Sequence, residues 1–286
     1  MVNPRKIIRE QKIQFNTSRD ELNALYKAKQ RAKYAKSEAE AALYPFDRAI
    51  SGARNFYRMY YRRTVPRGYS SPPNEQKYIS RCLMFLEDCI KQIEFADYEL
   101  GGTGEIPSFI KYLEECETAL NNAKGCSDKV GKLARKLINH MTKSGNLPKN
   151  LTAEQGHVLG TCKGFSTAIT NTLINPINKK VDEIKSVRGD LLIIKEKVIA
   201  LIRTFSNQRL LPQSIGKEQE KMIYDLITRL DKVRARIISL TSWTENYLVH
   251  HIEAFVQIMY RLILYENNML KETNVLGRIT RTVLRR

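Results

Sequence analysis

Two apolar seams that mirror one another dictate most of what this chain can become. The first is Ile184, Val187, Leu191, Ile194, Val198, Leu201 and Phe205. The second is Ile223, Leu226, Leu230, Val233, Ile237 and Leu240. Both alternate spacings of three and four, the roughly 3.5-residue period of helices that pack along their length. Residues 207–216 lie between them, with Pro212 and Gly216 to stop one helix and start the next. Folded back, the chain sets Leu201 opposite Ile223, Ile194 opposite Leu230 and Ile184 opposite Leu240 in a single register. The spacing therefore predicts a long antiparallel helical hairpin within 177–272. Past Leu240 the apolar positions change phase, through Thr244 to Leu248, Ile252, Phe255, Met259 and Leu262. That is a stutter, which unwinds a supercoil locally. Trp243, the single tryptophan, stands at it and is read as a packing plug.

The N-terminal region carries the same kind of pattern in smaller residues. Ala28, Ala32, Ala35, Ala39, Ala42, Phe46, Ala49, Ala53, Phe56 and Tyr60 keep the alternation without a miss. Alanine lets another helix approach closely, because only a methyl separates the backbones. Pro45 falls inside this pattern; the unbroken phase predicts a kink near it and not a break. Residues 1–63 thus read as one long basic helix, and 64–74 as a Pro/Gly linker. Residues 75–124 read as an acidic pair of helices, 75–99 and 108–124, around the glycine-rich stretch 101–107. Residues 125–176 hold a short basic helix, 127–143, and a second helix capped by Thr152 and Gln155. This second helix carries Gly156, Gly160 and Gly164 on one ridge, which predicts close contact with another helix, the alanine seam being the obvious one. Pro176 is expected to interrupt before the hairpin. Residues 273–286 read as a loose basic tail.

No run shows period-two alternation, and glycine and proline cluster at the boundaries just described. The fold class is all-α: an elongated bundle of long coiled-coil-like helices with an antiparallel C-terminal hairpin. The formal charge is +18 and uneven. Residues 1–69 carry 16 Lys and Arg against 6 Asp and Glu, residues 70–123 carry 4 against 10, and residues 124–286 carry 28 against 14. A balance of this sign favours an anionic polymer or anionic membrane as partner.

Catalytic and metal-binding signatures are missing from the sequence. His250 and His251 are adjacent and diverge on a helix, unlike an i, i+4 ligand pair. There is no H-E-x-x-H, G-x-S-x-G or Walker sequence, and Gly101–Pro107 has neither the preceding strand nor the following Lys-Ser/Thr of a phosphate loop. The five cysteines, Cys82, Cys89, Cys116, Cys126 and Cys162, form no C-x-x-C and read as small buried hydrophobes in a reducing compartment. The expectation is a non-enzymatic protein with no cofactor, metal or small-molecule substrate. No secretory leader and no run of about 20 apolar residues is visible, so the expected place is intracellular or inside a virion.

One stretch does carry binding chemistry. From Arg54 to Tyr69 arginine and tyrosine interleave: Arg54, Arg58 and Arg62 lie four apart, with Tyr57 and Tyr61 beside them, followed by Arg63 and Arg67 in the linker. Arginine offers a planar fork to phosphate and tyrosine a flat face to a base, a combination suited to single-stranded nucleic acid. Arg278, Arg281, Arg285 and Arg286 add a second basic cluster at the C-terminal end. The competing expectation is that these arginines pair with the acidic segment 75–117. The alternating basic and acidic blocks also suit a homo-oligomer or other structural subunits, and basic helical faces suit an anionic membrane surface. In its general look, helical, basic and without a catalytic motif, the chain resembles some viral nucleoproteins, matrix proteins and packaged virion proteins. That resemblance implies a structural, self-associating role with nucleic acid as a partner.

Overall fold

A computed structural model describes residues 4–101, 107–144, 149–207 and 216–283. It is all-α, with long helices and no strand among the described residues. The helices are α1 (Pro4–Tyr60), α2 (Glu75–Gly101), α3 (Phe109–Ser144), α4 (Lys149–Ile169), α5 (Asn175–Ser206), α6 (Lys217–Trp243) and α7 (His250–Val283). Two short π-helical turns, Thr170–Ile174 and Thr244–Val249, join α4 to α5 and α6 to α7. The chain forms two compact units, neither of them contiguous in sequence. Unit 1 takes 1–33, 113–179 and 246–286; unit 2 takes 34–112 and 180–245. The long helix α1 contributes to both units, whereas α2 and α6 belong to unit 2 and α4 and α7 to unit 1.

Unit 2 holds the hairpin. Every residue of the two mirrored seams is buried. Lys197 Nζ meets Asp225 at 2.8 Å and Arg236 meets Asp190 at 2.6 Å, which places α5 and α6 antiparallel within a residue or two of the expected register. The helix α2 runs antiparallel to α1, with the Tyr78 hydroxyl donating to the Met59 carbonyl at 2.7 Å and Phe85 and Cys89 packed against Gly52. It also runs antiparallel to α5, through Arg188–Asp97 and Lys195–Glu94, both at 2.7 Å. The ring closes between α6 and α1. Phe56 and Tyr60 of α1 reach Phe205 of α5 across the interior, at centroid distances of 5.4 and 4.4 Å.

Unit 1 repeats the plan with α1, α3, α4 and α7. Lys136 and His140 reach Glu10 at 2.9 and 3.0 Å, while Arg31 reaches Glu115 at 2.9 Å, so α1 and α3 are antiparallel. Phe165 packs edge-on against Phe255 and His157 against Tyr265, which aligns α4 with α7. Lys29 pairs with Glu253 to close α7 onto α1. Its core differs from that of unit 2 in one respect. Between Ile7 and Leu25 the inward positions of α1 are polar: Glu10, Gln11, Gln14, Ser18 and Glu21, all buried.

Several expectations change. The two helices expected at 108–124 and 127–143 are one, because Ser127 is itself buried and carries the inward stripe from Ala123 to Val130. The helix α4 begins at Lys149, so Thr152 lies inside it and does not cap it. The glycine ridge faces outward: a side chain built at Gly156, Gly160 or Gly164 would touch nothing within 4 Å. The close approach of helices falls at Gly52 instead, where a Cβ would stand 2.9 Å from the Phe85 carbonyl oxygen. At Pro45 the expectation of no break holds: α1 continues through it with the alanine seam fully buried on both sides. The expected tail is helical to Val283. Trp243 is half-buried, with the Lys180 ammonium 5.8 Å from its ring. The expected breaks at 102–106, 145–148 and 208–215 lie outside the described residues.

The two π turns have local causes. Proline at 176 has no N–H to give the Thr172 carbonyl, its α-helical acceptor. The chain widens just before it, with Asn175 N–H bonding to the Thr170 carbonyl, and the Tyr247 hydroxyl donates to the Thr172 carbonyl at 3.0 Å. Tyr247 belongs to the other π turn, which falls at the Leu240–Leu248 phase change where the sequence predicts local unwinding.

Candidate nucleic-acid interface

The arginine stripe begins on the last turns of α1, where Arg54 and Arg58 are exposed while Phe56, Tyr57, Met59 and Tyr60 face the core. The helix then ends. Arg63 takes the left-handed conformation, φ 52°, which turns the chain out of the helix at about 1 kcal/mol of strain for a residue with a Cβ. The freed carbonyls are taken up: Thr64 N–H bonds to Arg58 O at 3.1 Å, and Met59 O accepts from Tyr78. Because α1 ends at Tyr60, Arg62 and Arg63 leave the stripe. Arg62 lies over the Tyr57 ring at 5.6 Å and Arg63 over Tyr60 at 5.7 Å. Arg67 is exposed in a turn with Gly68, whose φ of 92° suits glycine.

Beside the stripe runs a groove of about 560 Å³ between α1 and α6. Its polar walls are Asp47, Arg54, Asn55 and Arg58 from α1 with Asp231 and Arg234 from α6. Arg54 Nη2 donates to both oxygens of Asp231, at 3.2 and 3.0 Å. Arg234 reaches Asp47 through Nε and through Nη2, the latter at 3.3 Å. Arg58 lines the same groove and has no ion pair among the described residues. Arg54 therefore answers α6 and not the acidic segment 75–117. The Arg54–Asp231 side chains are 52% and 44% exposed, so water screens the pair and it contributes at most about 1 kcal/mol.

The tyrosines are placed differently from the expectation. Tyr57 is buried, its hydroxyl donating to Glu220 at 2.8 Å and its ring packed edge-on to Tyr224. Tyr61 is half-buried and stacks on Tyr57 at 5.4 Å. Burial first, then the neighbouring Tyr60 and Glu220 groups, hold its phenol above the ordinary tyrosine range. Tyr57 thus packs α1 onto α6 and offers no open face to a base; Tyr61 keeps a part of its ring outward. The exposed aromatics in this region are Tyr224, 50% exposed beside Tyr57, and Tyr69, 45% exposed and edge-on to Phe85. The sequence did not point to Arg234, Asp231 or Asp47, since they join the stripe only through the antiparallel register of α6 on α1.

Of the C-terminal cluster, Arg278 and Arg281 lie on the last turns of α7, while Arg285 and Arg286 fall outside the described residues. The cysteines are free thiols, and burial pushes Cys82 and Cys89 up to about 12, the behaviour of packed hydrophobes. No described helix is long and apolar enough to cross a membrane. No protein-family model, curated protein or solved structure matches this chain.

Proposed function

We propose that this protein is a non-enzymatic helical structural protein that contacts single-stranded nucleic acid along the α1–α6 groove of unit 2. Arg58 carries the reading: a guanidinium open on the groove that the screened Arg54–Asp231 pair also lines. Phosphates entering here would meet Arg58 directly, with Arg67 on the exposed loop after α1 as a further contact outside the groove. They would also compete with Asp231 for Arg54, an exchange favoured because the guanidinium fork fits phosphate as well as carboxylate. The overall charge of +18 supplies the long-range attraction. Self-association through surfaces elsewhere on the chain belongs to the same reading, with Arg278, Arg281, Arg285 and Arg286 as a second contact.

Fluorescence anisotropy with labelled single-stranded RNA and DNA across a salt series tests it. Affinity should fall with salt at a slope of about −0.7 per phosphate neutralised. Arg58→Ala with Arg67→Ala should flatten that slope by roughly one to two units and weaken all sequences alike. Asp231→Asn releases Arg54 and should tighten binding. If both variants bind as the parent does, the groove is not the interface; binding to anionic vesicles that outcompetes nucleic acid would replace this reading with a membrane-surface one.

A further inference from the structure

Glu21 of α1 and Glu266 of α7 are buried in unit 1, 0% and 4% exposed. None of their four carboxyl oxygens has a hydrogen-bond partner. Polar groups stand beside them but are turned elsewhere. Ser127, next to Glu21, gives its hydroxyl proton to the Cys162 carbonyl at 3.3 Å, and Gln14, next to Glu266, gives its amide to Gln155 at 3.0 Å. The buried Ser18 hydroxyl and both polar atoms of Gln11 are also unpartnered. A third carboxylate on the same face of α1, Glu10, has been given cations, Lys136 at 2.9 Å and His140 at 3.0 Å. Glu21 and Glu266 have none. The groups that act on Glu21 are Ser127 and Asp128 of α3 and Glu266 of α7; those that act on Glu266 are Ser18 and Gln14 of α1. Cys126 of α3 and Cys162 of α4 lie in the same field, with Asp20 and Lys129 acting on Cys126.

We infer that Glu21 and Glu266 form a proton-controlled latch that closes unit 1 while both carboxyls are protonated and lets α1 and α7 part when they ionise. An ionised carboxylate without water, cation or donor is too costly to keep buried, and two such charges in one core repel. Opening gives both charges to water, whereas closure needs both protons. Burial first, with Ser127 pulling the other way and the Glu266 and Asp128 charges adding, raises Glu21 to about 8; burial raises Glu266 to about 7. The opened helices hold these carboxyls near the ordinary value of 4.5. The sign follows: the closed unit binds protons that the opened one does not. Its stability is complete below about 4.5 and is lost as pH rises through about 7 and 8. This inference is independent of the nucleic-acid reading.

The test is amide hydrogen exchange of the full chain, read by mass spectrometry over peptides from 4–33 and 250–283, each rate divided by its intrinsic rate at that pH. From about pH 5 to about pH 9 the opening constant of these peptides should rise on the order of 100-fold or more in the parent. In E21Q/E266Q it should stay flat apart from every other titrating group, which the variant retains. Equal pH dependence in parent and variant overturns the latch. So does a double variant that fails to fold at about pH 5, since glutamine reproduces the shape and neutrality of the protonated carboxyl. A second readout is infrared: at about pH 6 the parent should show a protonated-carboxyl band that E21Q weakens, and its absence refutes the proposal.

Discussion

Gly52 and Gly189 both sit in helices of unit 2, and replacing either with alanine should change stability in opposite directions. Alanine is favoured over glycine in a helix by about 1 kcal/mol, because glycine loses more backbone freedom on folding. At Gly189 on α5 nothing stands within 4 Å of the new methyl, so the propensity gain should appear nearly whole, as about 0.5–1 kcal/mol of added stability. At Gly52 the methyl would lie 2.9 Å from the Phe85 carbonyl oxygen and 3.6 Å from the Cys89 Cβ. The first distance is roughly half an ångström short of ordinary contact, and the obstructing atom is backbone. A side chain could swing aside; here α1 and α2 must separate. Overpacking of this kind costs about 1–3 kcal/mol, which outweighs the propensity gain and leaves Gly52→Ala destabilised by about 0.5–2 kcal/mol. Urea unfolding followed by circular dichroism, with exchange over peptides 34–60 and 180–206 to assign the change to unit 2, measures both. If Gly52→Ala stabilises as much as Gly189→Ala, the α1–α2 approach is not as close as described.

Leu230→Ala removes a fully buried seam residue and should cost about 2–5 kcal/mol in the same assay; a loss below about 0.5 kcal/mol would mean the seam is not core. Tyr247→Phe removes the donor to the Thr172 carbonyl and should cost about 1 kcal/mol, less when Pro176→Ala restores the backbone N–H; additive effects in that double-mutant cycle would count against the pairing. Glu38 of α1 is raised to about 7, by burial first and then by the neighbouring Glu99 carboxyl of α2. The stability it contributes is complete below about 4.5 and is lost as pH rises through about 7, so Glu38→Gln should flatten the stability of unit 2 between those values; an unchanged profile would mean that Glu38 does not titrate with folding.

How much of this was legible in the sequence depended on the size of the buried side chain. The hairpin and the alanine seam could be read because Leu, Ile, Val, Ala and aromatic residues mark their own inward face. The gap expected at 125–126 does not form: Gly125 sits inside α3, and the buried Ser127 carries the inward stripe on from Ala123 to Val130. Likewise Glu10, Gln14, Ser18 and Glu21 hold inward positions that composition assigns to solvent. Glycine carries no facing signal of its own, and so the ridge at Gly156 was turned inward by assumption. Leu151, Val158, Cys162 and Phe165, all buried, mark the inward face of that helix and leave the glycines outside. For the candidate interface, the arginines were visible and their α6 partners were not, because pairing across distant helices is set by register.

The discontinuous build of the two units also governs how the chain must be made. Residues 4–60 emerge first as a helix with a full inward stripe, and α2 and α3 follow soon after, yet the set of partners is complete only at residue 245 in unit 2 and only with α7, beyond 246, in unit 1. During translation the alanine seam meets α2 early, but α6, which closes its other flank, follows only when most of the polypeptide has left the ribosome. Neither bundle can finish early and shield the other's unfinished surfaces, so maturation waits on late contacts of large sequence separation. Truncation anywhere in α6 or α7 should therefore yield insoluble product instead of a shorter folded protein, and slowing of synthesis should increase the need for chaperones that hold nascent helices apart.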